Sequence, residues 1–262
     1  MDHRSRDLAR QTAEYYPDAE FEWLDDLKVR CKGATLCLTQ GFNLRQADGE
    51  TILFKDPLFL GAYLELLKGR TIKNMVEVGV FTGGSAIFFW NLLKPVQLCC
   101  IDINTAADRL TDYIRDQELH DSISTYFGTD QSDRPRMNEI LDEQFGSEPV
   151  DLVIDDASHL YGPSLATFEV MFPRLPPGAL YILEDWKVHL EFAHGRDAEA
   201  KEPPLHRLVQ DLVDVAIVSR ETISDVVLHH NFAVFTRGEG EIDPDAFSVA
   251  TILDSAREQL ER

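Results

Sequence analysis

The stretch "NMVEVGVFTGGSAIFFWNLLKPVQLCCIDIN", residues 74–104, decides the fold. It opens with a short apolar run over 74–80, the length of a buried strand. Gly79, Gly83 and Gly84 then allow a tight turn. Apolar residues at helical spacing follow over 84–94, and a second β-rich run covers 96–104. Strand, glycine turn, helix and strand in that order make a βαβ unit, whose strands pair in parallel through a right-handed crossover.

The alternation continues outward. Residues 106–119 read as a helix, 122–128 as a strand, 133–145 as a polar helical stretch, 150–156 as a strand and 162–175 as a helix. Residues 178–185 make a further strand and 203–214 a helix. Two β-rich runs, 225–231 and 232–238, stand almost back to back and predict a hairpin, which makes the sheet mixed. Residues 243–262 read as a C-terminal helix. Upstream, Asp56-Pro57 and Gly69 bracket a helix over 56–69. Residues 1–30 read as helical with a break near Pro17, and 31–56 as loops or a hairpin around Gly33, Gly41 and Gly49. The expectation is an α/β chain with a Rossmann-like mixed seven-stranded sheet, helices on both faces, a C-terminal antiparallel hairpin and an N-terminal helical/loop extension. Residues 1–70 would be that extension (a lid or oligomer contact), 71–242 the core and 243–262 the closing helix.

Bulk properties narrow the partners. The chain has 262 residues and a formal charge of −21. No basic run offers the phosphate-neutralising face that nucleic-acid binders need, so nucleic acid and anionic membrane surfaces are excluded as expected partners. No apolar stretch reaches the roughly 18 residues of a membrane span, and the N-terminus lacks a secretory signal. Cys31, Cys37, Cys99 and Cys100 show no CxxC spacing, which predicts reduced thiols in a cytoplasmic protein rather than a zinc site.

Ligands of open α/β sheets bind outside the carboxyl ends of the strands. Here nearly every strand end carries an acid. "VEVGVFTGGSA" (76–86) lacks the second glycine of a dinucleotide fingerprint, because Phe81 stands there, and no Gly-Lys-Ser/Thr follows to make a P-loop. Glu77 would repel a diphosphate and could pair with a cation. "DLVIDDASHLYGP" (151–163) ends a strand in Asp155-Asp156 and places His159 three residues later; "GALYILED" (178–185) ends in Glu184-Asp185. Neighbouring strands would bring four carboxylates together. Like charges raise one another's pKa, and a divalent cation relieves that cost. Oxygen ligands suit Mg²⁺ or Ca²⁺, leaving His159 available as a base.

The stretch 76–86 resembles the first motif of class I S-adenosylmethionine methyltransferases, E/D-x-G-x-x-x-G, over a region spanning 71–238. The resemblance implies S-adenosyl-L-methionine as methyl donor and S-adenosyl-L-homocysteine as product. It places Glu77, Gly79, Thr82, Gly83 and Ser85 at the amino-acid end of the cofactor, Asp102 in "CIDIN" on the ribose, and Asp130 and Gln131 in "FGTDQS" on the adenine side. "IDDASH" with "ILEDW" resembles the metal-dependent sugar O-methyltransferases of antibiotic biosynthesis, which share these motifs with the cephalosporin hydroxylase-type family. That resemblance implies that Asp156, Glu184 and Asp185 hold Mg²⁺, that His159 takes the acceptor proton and that Asp155 faces the cofactor. The implied acceptor is a deoxysugar hydroxyl. A nucleotide-linked, TDP-rhamnose-type sugar is expected because the chain carries no extra domain for a large glycoside. A macrolide glycoside, a catechol or a β-lactam is the rival acceptor, and a non-catalytic cofactor-binding subunit the rival of another class. Residues 186–207 read as a long polar loop with Lys187, His189, His194, Arg196 and Lys201, suited to a diphosphate acceptor. A homo-oligomer is expected, with Trp23, Leu24 and Phe42 buried against a second subunit.

Overall fold

The structure is a computed structural model that describes residues 3–39, 49–191 and 202–260. Phe42, His194, Arg196 and Lys201 lie outside the described residues. In chain order the elements are α1 (His3–Tyr15), β1 (Glu22–Trp23), β2 (Lys28–Cys31), β3 (Ala34–Leu38), β4 (Thr51–Leu53), α2 (Pro57–Leu67), β5 (Asn74–Val78), α3 (Gly84–Leu93), β6 (Gln97–Asp102), α4 (Asp108–Asp116), β7 (Ile123–Phe127), α5 (Arg134–Phe145), β8 (Leu152–Asp155), α6 (Tyr161–Met171), β9 (Leu180–Glu184), α7 (Val188–Glu191), α8 (Leu205–Val218), β10 (Ile223–Leu228), β11 (Phe232–Arg237) and α9 (Val249–Leu260).

Seven strands form the mixed sheet expected from the alternation, in the order β10-β11-β9-β8-β5-β6-β7. β8 pairs in parallel with β5 and with β9, while β11 runs antiparallel to both β9 and β10. The strand order reverses at β5, where open α/β sheets place their ligands. β8 and β9 are buried along their whole length and read as continuous apolar runs. Edge strand β10 instead alternates toward solvent.

The N-terminal segment departs from expectation. The helix stops at Tyr15, and β1 and β2 occupy residues 22–31, while the hairpin expected around Gly33 forms between β2 and β3. In β2, Val29 and Cys31 are buried between the more exposed Lys28 and Arg30, a period of two that no helix satisfies. The two-residue turn Lys32-Gly33 folds β2 onto β3, and β4 adds in parallel to give a small four-stranded sheet, β1-β2-β3-β4. The helix over 56–69 forms as expected. Asp56 caps α2 by accepting from the Phe59 amide at 2.8 Å, and Pro57 occupies the first turn, where its missing N–H costs nothing.

The chain divides into two compact units, residues 1–73, 80–100 and 104–128 in one and 74–79, 101–103 and 129–262 in the other. In the first, Tyr63 of α2 packs edge-on against Phe89 of α3 at 4.9 Å. In the second, Phe168 of α6 is the hub: it stacks on Phe172 at 4.4 Å and meets Tyr181 of β9 at 4.9 Å and Phe235 of β11 at 6.0 Å. Each such buried ring contributes about 1.5–3 kcal/mol of transfer free energy. The closing helix begins at Val249 rather than 243. Its first amide donates to Glu169 of α6 at 2.8 Å, so a side chain distant in sequence sets the start. Among the described residues no helix is long and apolar enough to cross a membrane.

Candidate functional site

The second unit gathers most of the chemistry at the carboxyl ends of β8 and β9. Register pairs Asp155, the last residue of β8, with Leu183, one residue before the end of β9. β9 ends at Glu184, and Asp185 turns left-handed (φ +51°) with its amide donating to the Asn231 carbonyl at 2.7 Å. His159 is also left-handed (φ +55°), just before α6. Few non-glycine residues adopt this conformation, and those that do concentrate at functional sites. The two turns bring a carboxylate oxygen of Asp156, one of Asp185 and a ring nitrogen of His159 within 4.8 Å of one another. His159 Nε2 stands 3.9 Å from Asp156 Oδ1 and 4.0 Å from Asp185 Oδ2. All three side chains are partly exposed, and two hard oxygens with one imidazole nitrogen fit a divalent cation with positions left open. Glu184, expected with them, is not a member of this cluster; it lies buried at the end of β9.

Asp155 and Asp156 have opposite surroundings although they are adjacent. Asp155 is 1% exposed. Its Oδ2 accepts from the Tyr181 hydroxyl at 2.8 Å and its Oδ1 from Gln131 Nε2 at 3.3 Å. Burial pushes its pKa up to about 6, against the pull of the Tyr181 hydroxyl and the His159 ring. Burial and the facing carboxylate hold Tyr181 well above the usual phenol range, so it stays a donor. Asp155, expected to face the cofactor, belongs instead to an internal network.

The adenine-side expectation divides in the same way. Asp130 is exposed and caps its own turn, accepting from the Ser132 amide at 2.8 Å and the Ser132 hydroxyl at 2.7 Å, which keeps its carboxyl below the ordinary range. Gln131 is turned inward and 5% exposed. Its amide nitrogen donates to Asp155 and to Thr167 Oγ1 (2.8 Å), and its oxygen accepts from the Ser158 amide at 2.8 Å. With both donors engaged inside the protein, Gln131 has none left for a base.

Glu77 on β5 and Asp102 at the end of β6 are buried acids of the same unit, and two carboxylate acceptors suit an ammonium and ribose hydroxyls as donors. Gly79 adopts φ +88°, and a Cβ there would lie 2.2 Å from the Asp156 carbonyl oxygen. The direction a side chain would take at Gly79 is filled by the chain's own backbone. In the first unit Gly83 (φ +93°) is closed by Leu110 in the same manner, and Gly84 by the Ile52 carbonyl. Thr82 Oγ1 donates to that carbonyl at 3.2 Å, and Ser85 is buried in the first turn of α3.

Sequence reasoning missed Tyr181, Thr167, Ser158 and the hairpin tip. A tyrosine in the middle of a buried strand was the available signal, since its hydroxyl needs a partner. The tip holds the exit of β9: Trp186 Nε1 donates to the His229 carbonyl at 3.1 Å, and the His229 ring packs on Phe232 at 4.4 Å. Lys187 meets His230 there, so one of the loop's expected cations is already engaged.

Residues 76–186 match the family described as a methyltransferase domain. The 8-demethyl-8-alpha-L-rhamnosyl tetracenomycin-C 2'-O-methyltransferase of Streptomyces olivaceus is 32% identical over 180 residues, covering 61% of this chain and 44% of that protein. The mycinamicin VI 2''-O-methyltransferase of Micromonospora griseorubida is 31% identical over 128 residues, covering 43% of this chain and 31% of that protein. The chain thus spans less than half the length of these curated relatives. Among solved structures, the MycE methyltransferase of the mycinamycin pathway, in complex with Mg, SAH and mycinamycin VI, superposes with a TM-score of 0.54 at 22% identity, covering 75% of this chain and 52% of that one, a likeness of fold. Residues 76–186 thus carry the match to a methyltransferase domain, and the likeness to MycE is one of fold.

Proposed function

We propose that this chain is a class I S-adenosylmethionine-dependent methyltransferase that transfers a methyl group from S-adenosylmethionine to a hydroxyl of a deoxysugar in natural-product biosynthesis. A divalent cation would sit at the acceptor, with His159 as base. The observation that carries the reading is the convergence of Asp156, Asp185 and His159 at two adjacent strand ends. Asp156 and Asp185 would hold Mg²⁺ or Ca²⁺, with Glu184 as a third carboxylate from the neighbouring position. Glu77 and Asp102 would receive the ammonium and the ribose hydroxyls, and Gly79, Thr82, Gly83 and Ser85 would also contact the cofactor.

When bound, S-adenosylmethionine supplies an electrophilic methyl on a sulfonium, and the cation lowers the pKa of a coordinated hydroxyl. His159 accepts the hydroxyl proton at Nε2, and the Asp156 and Asp185 carboxylates flanking that nitrogen stabilise the imidazolium that results. The left-handed turns at His159 and Asp185 hold both groups before substrate arrives, so the alignment cost is met by the fold. The name of the Streptomyces olivaceus relative speaks of O-methylation of a rhamnosyl tetracenomycin, which supports a glycoside acceptor beside the nucleotide-linked one.

The test is methyl transfer by the purified chain to rhamnosyl aglycones and TDP-rhamnose, followed by mass spectrometry, with and without EDTA. Transfer that EDTA abolishes and Mg²⁺ restores is expected. EDTA-insensitive transfer removes the cation, and failure with every sugar removes the acceptor class. Asp102→Ala should weaken S-adenosylhomocysteine binding by about 1.5–3 kcal/mol in calorimetry. A second reading makes His159 a ligand of the cation, because its nitrogen lies within the same 4.8 Å group. Loss of Mg²⁺ binding in His159→Ala would establish that reading. Asp155 offers no substitute base, being buried and doubly engaged.

The protein would act in the cytoplasm as a homo-oligomer. Leu24, Leu27 and Leu58 of the first unit are exposed apolar side chains, which supports a subunit contact there. A monomer in light scattering ends that proposal.

A further inference from the structure

We propose that Gln131 is a positioning residue that fixes the turn carrying Asp156 and His159 onto the end of β8. The inference rests on the function proposed above for its catalytic meaning; its structural half stands alone. The turn 156–159 lies between β8 and α6 and contains both polar members contributed by that segment. Asp156 at its start is tied to β5, its amide donating to the Val78 carbonyl at 2.8 Å. The Ala157 amide bonds the Asp155 carboxylate, and the amide of Ser158, directly before His159, donates to the Gln131 side-chain oxygen at 2.8 Å. Gln131 is in turn held from two sides. Its nitrogen donates to Thr167 Oγ1 of α6 at 2.8 Å and to Asp155 Oδ1 at 3.3 Å, and Thr167 donates onward to the Pro163 carbonyl at 3.1 Å. Tyr181 closes the other side of Asp155.

One amide side chain therefore connects the strand before the turn, the helix after it and the turn itself. Gln131 and Thr167 are both buried, so water does not compete for these bonds. The element that sets the imidazole's direction is the peptide held by Gln131, which makes this residue a determinant of where Nε2 points. A displacement of about 1 Å in a reacting group costs on the order of a hundredfold in rate, so a slack turn is expected to lower turnover without touching cofactor affinity.

The test compares the wild-type chain with Gln131→Met, which keeps the length and loses the amide, and with Thr167→Val, which keeps the shape and loses the hydroxyl that receives Gln131. Amide hydrogen exchange reads the tether without any activity. The Ser158 amide should exchange faster in both variants, while those of Leu152 to Ile154 stay protected. In turnover, kcat should fall by about ten- to a hundredfold in Gln131→Met, with KM for S-adenosylmethionine and the affinity for S-adenosylhomocysteine unchanged. Unchanged exchange at Ser158 overturns the tether. Weakened S-adenosylhomocysteine binding with intact kcat makes Gln131 an adenine-side residue instead. If Gln131→Met does not fold, Thr167→Val decides by the same two readings. If the wild type methylates no sugar, the function fails, while the exchange result still decides whether Gln131 holds the turn.

Discussion

The turn that follows β5 and the turn that follows β8 both lead from a strand into a helix, and they are held in different ways. The first is closed by contact. A Cβ at Gly79 would meet the Asp156 carbonyl at 2.2 Å, and one at Gly83 would meet Leu110 Cβ at 2.4 Å. The second is closed by hydrogen bonds, with Gln131 on the Ser158 amide and Tyr181 and Gln131 on Asp155. Steric closure admits no side chain and leaves no freedom. Closure by hydrogen bonds leaves the side chains of Asp156 and His159 partly exposed and able to take part in chemistry.

This difference can be broken or sharpened by substitution. His159→Ala should lower turnover by about 10²–10⁴, the range for loss of a general base, while urea midpoints and S-adenosylhomocysteine binding stay at wild-type values. A large loss of stability in that variant would mean that the polar turn is structural after all. Gly79→Ala should show the opposite profile. Strain at a left-handed position and overpacking against backbone together predict a loss of about 2–5 kcal/mol in urea unfolding. A stable Gly79→Ala protein would show that the first turn has room and that its glycine serves a ligand. Tyr181→Phe deletes one donor to a buried carboxylate and should cost about 1–2 kcal/mol, with the hydrophobic contact to Phe168 preserved. A neutral result would show that Asp155 finds another donor. Asp130→Ala, in an exposed cap of its own turn, should cost no more than about 0.5–1 kcal/mol in unfolding and leave cofactor affinity intact. Weakened cofactor binding there would restore the adenine-side role expected from its position.

Much of this was legible in the chain. The βαβ alternation from residue 74, the hairpin at 223–237 and the capped helix after Asp56 all carry local signals: periodicity, glycine turns and a capping acid. Residues 22–30 misled because short strands have little signal of their own. Their alternation spans four or five residues and becomes a sheet only when β2 finds β3 across the Lys32-Gly33 turn. The start of α9 was misplaced for a related reason, since its first amide is satisfied by Glu169, eighty residues earlier.

The candidate site divides along the same line. The sequence by itself determined which strand ends carry acids, that His159 follows Asp156 at short range, and that the glycine turn lacks the dinucleotide fingerprint. Those are properties of neighbouring residues, and neighbours constrain each other through the backbone alone. Only the tertiary structure decided which of two adjacent carboxylates is available. Asp155 is sealed under Tyr181 and Gln131, and Asp156 stands partly exposed beside His159. It likewise drew Asp185 into the cluster ahead of Glu184, through a left-handed residue at a strand end. The physical reason is that burial and hydrogen-bond partners come from elements far apart in the chain. The desolvation that raises Asp155 to about 6 exists only once β8, β9 and α6 have packed.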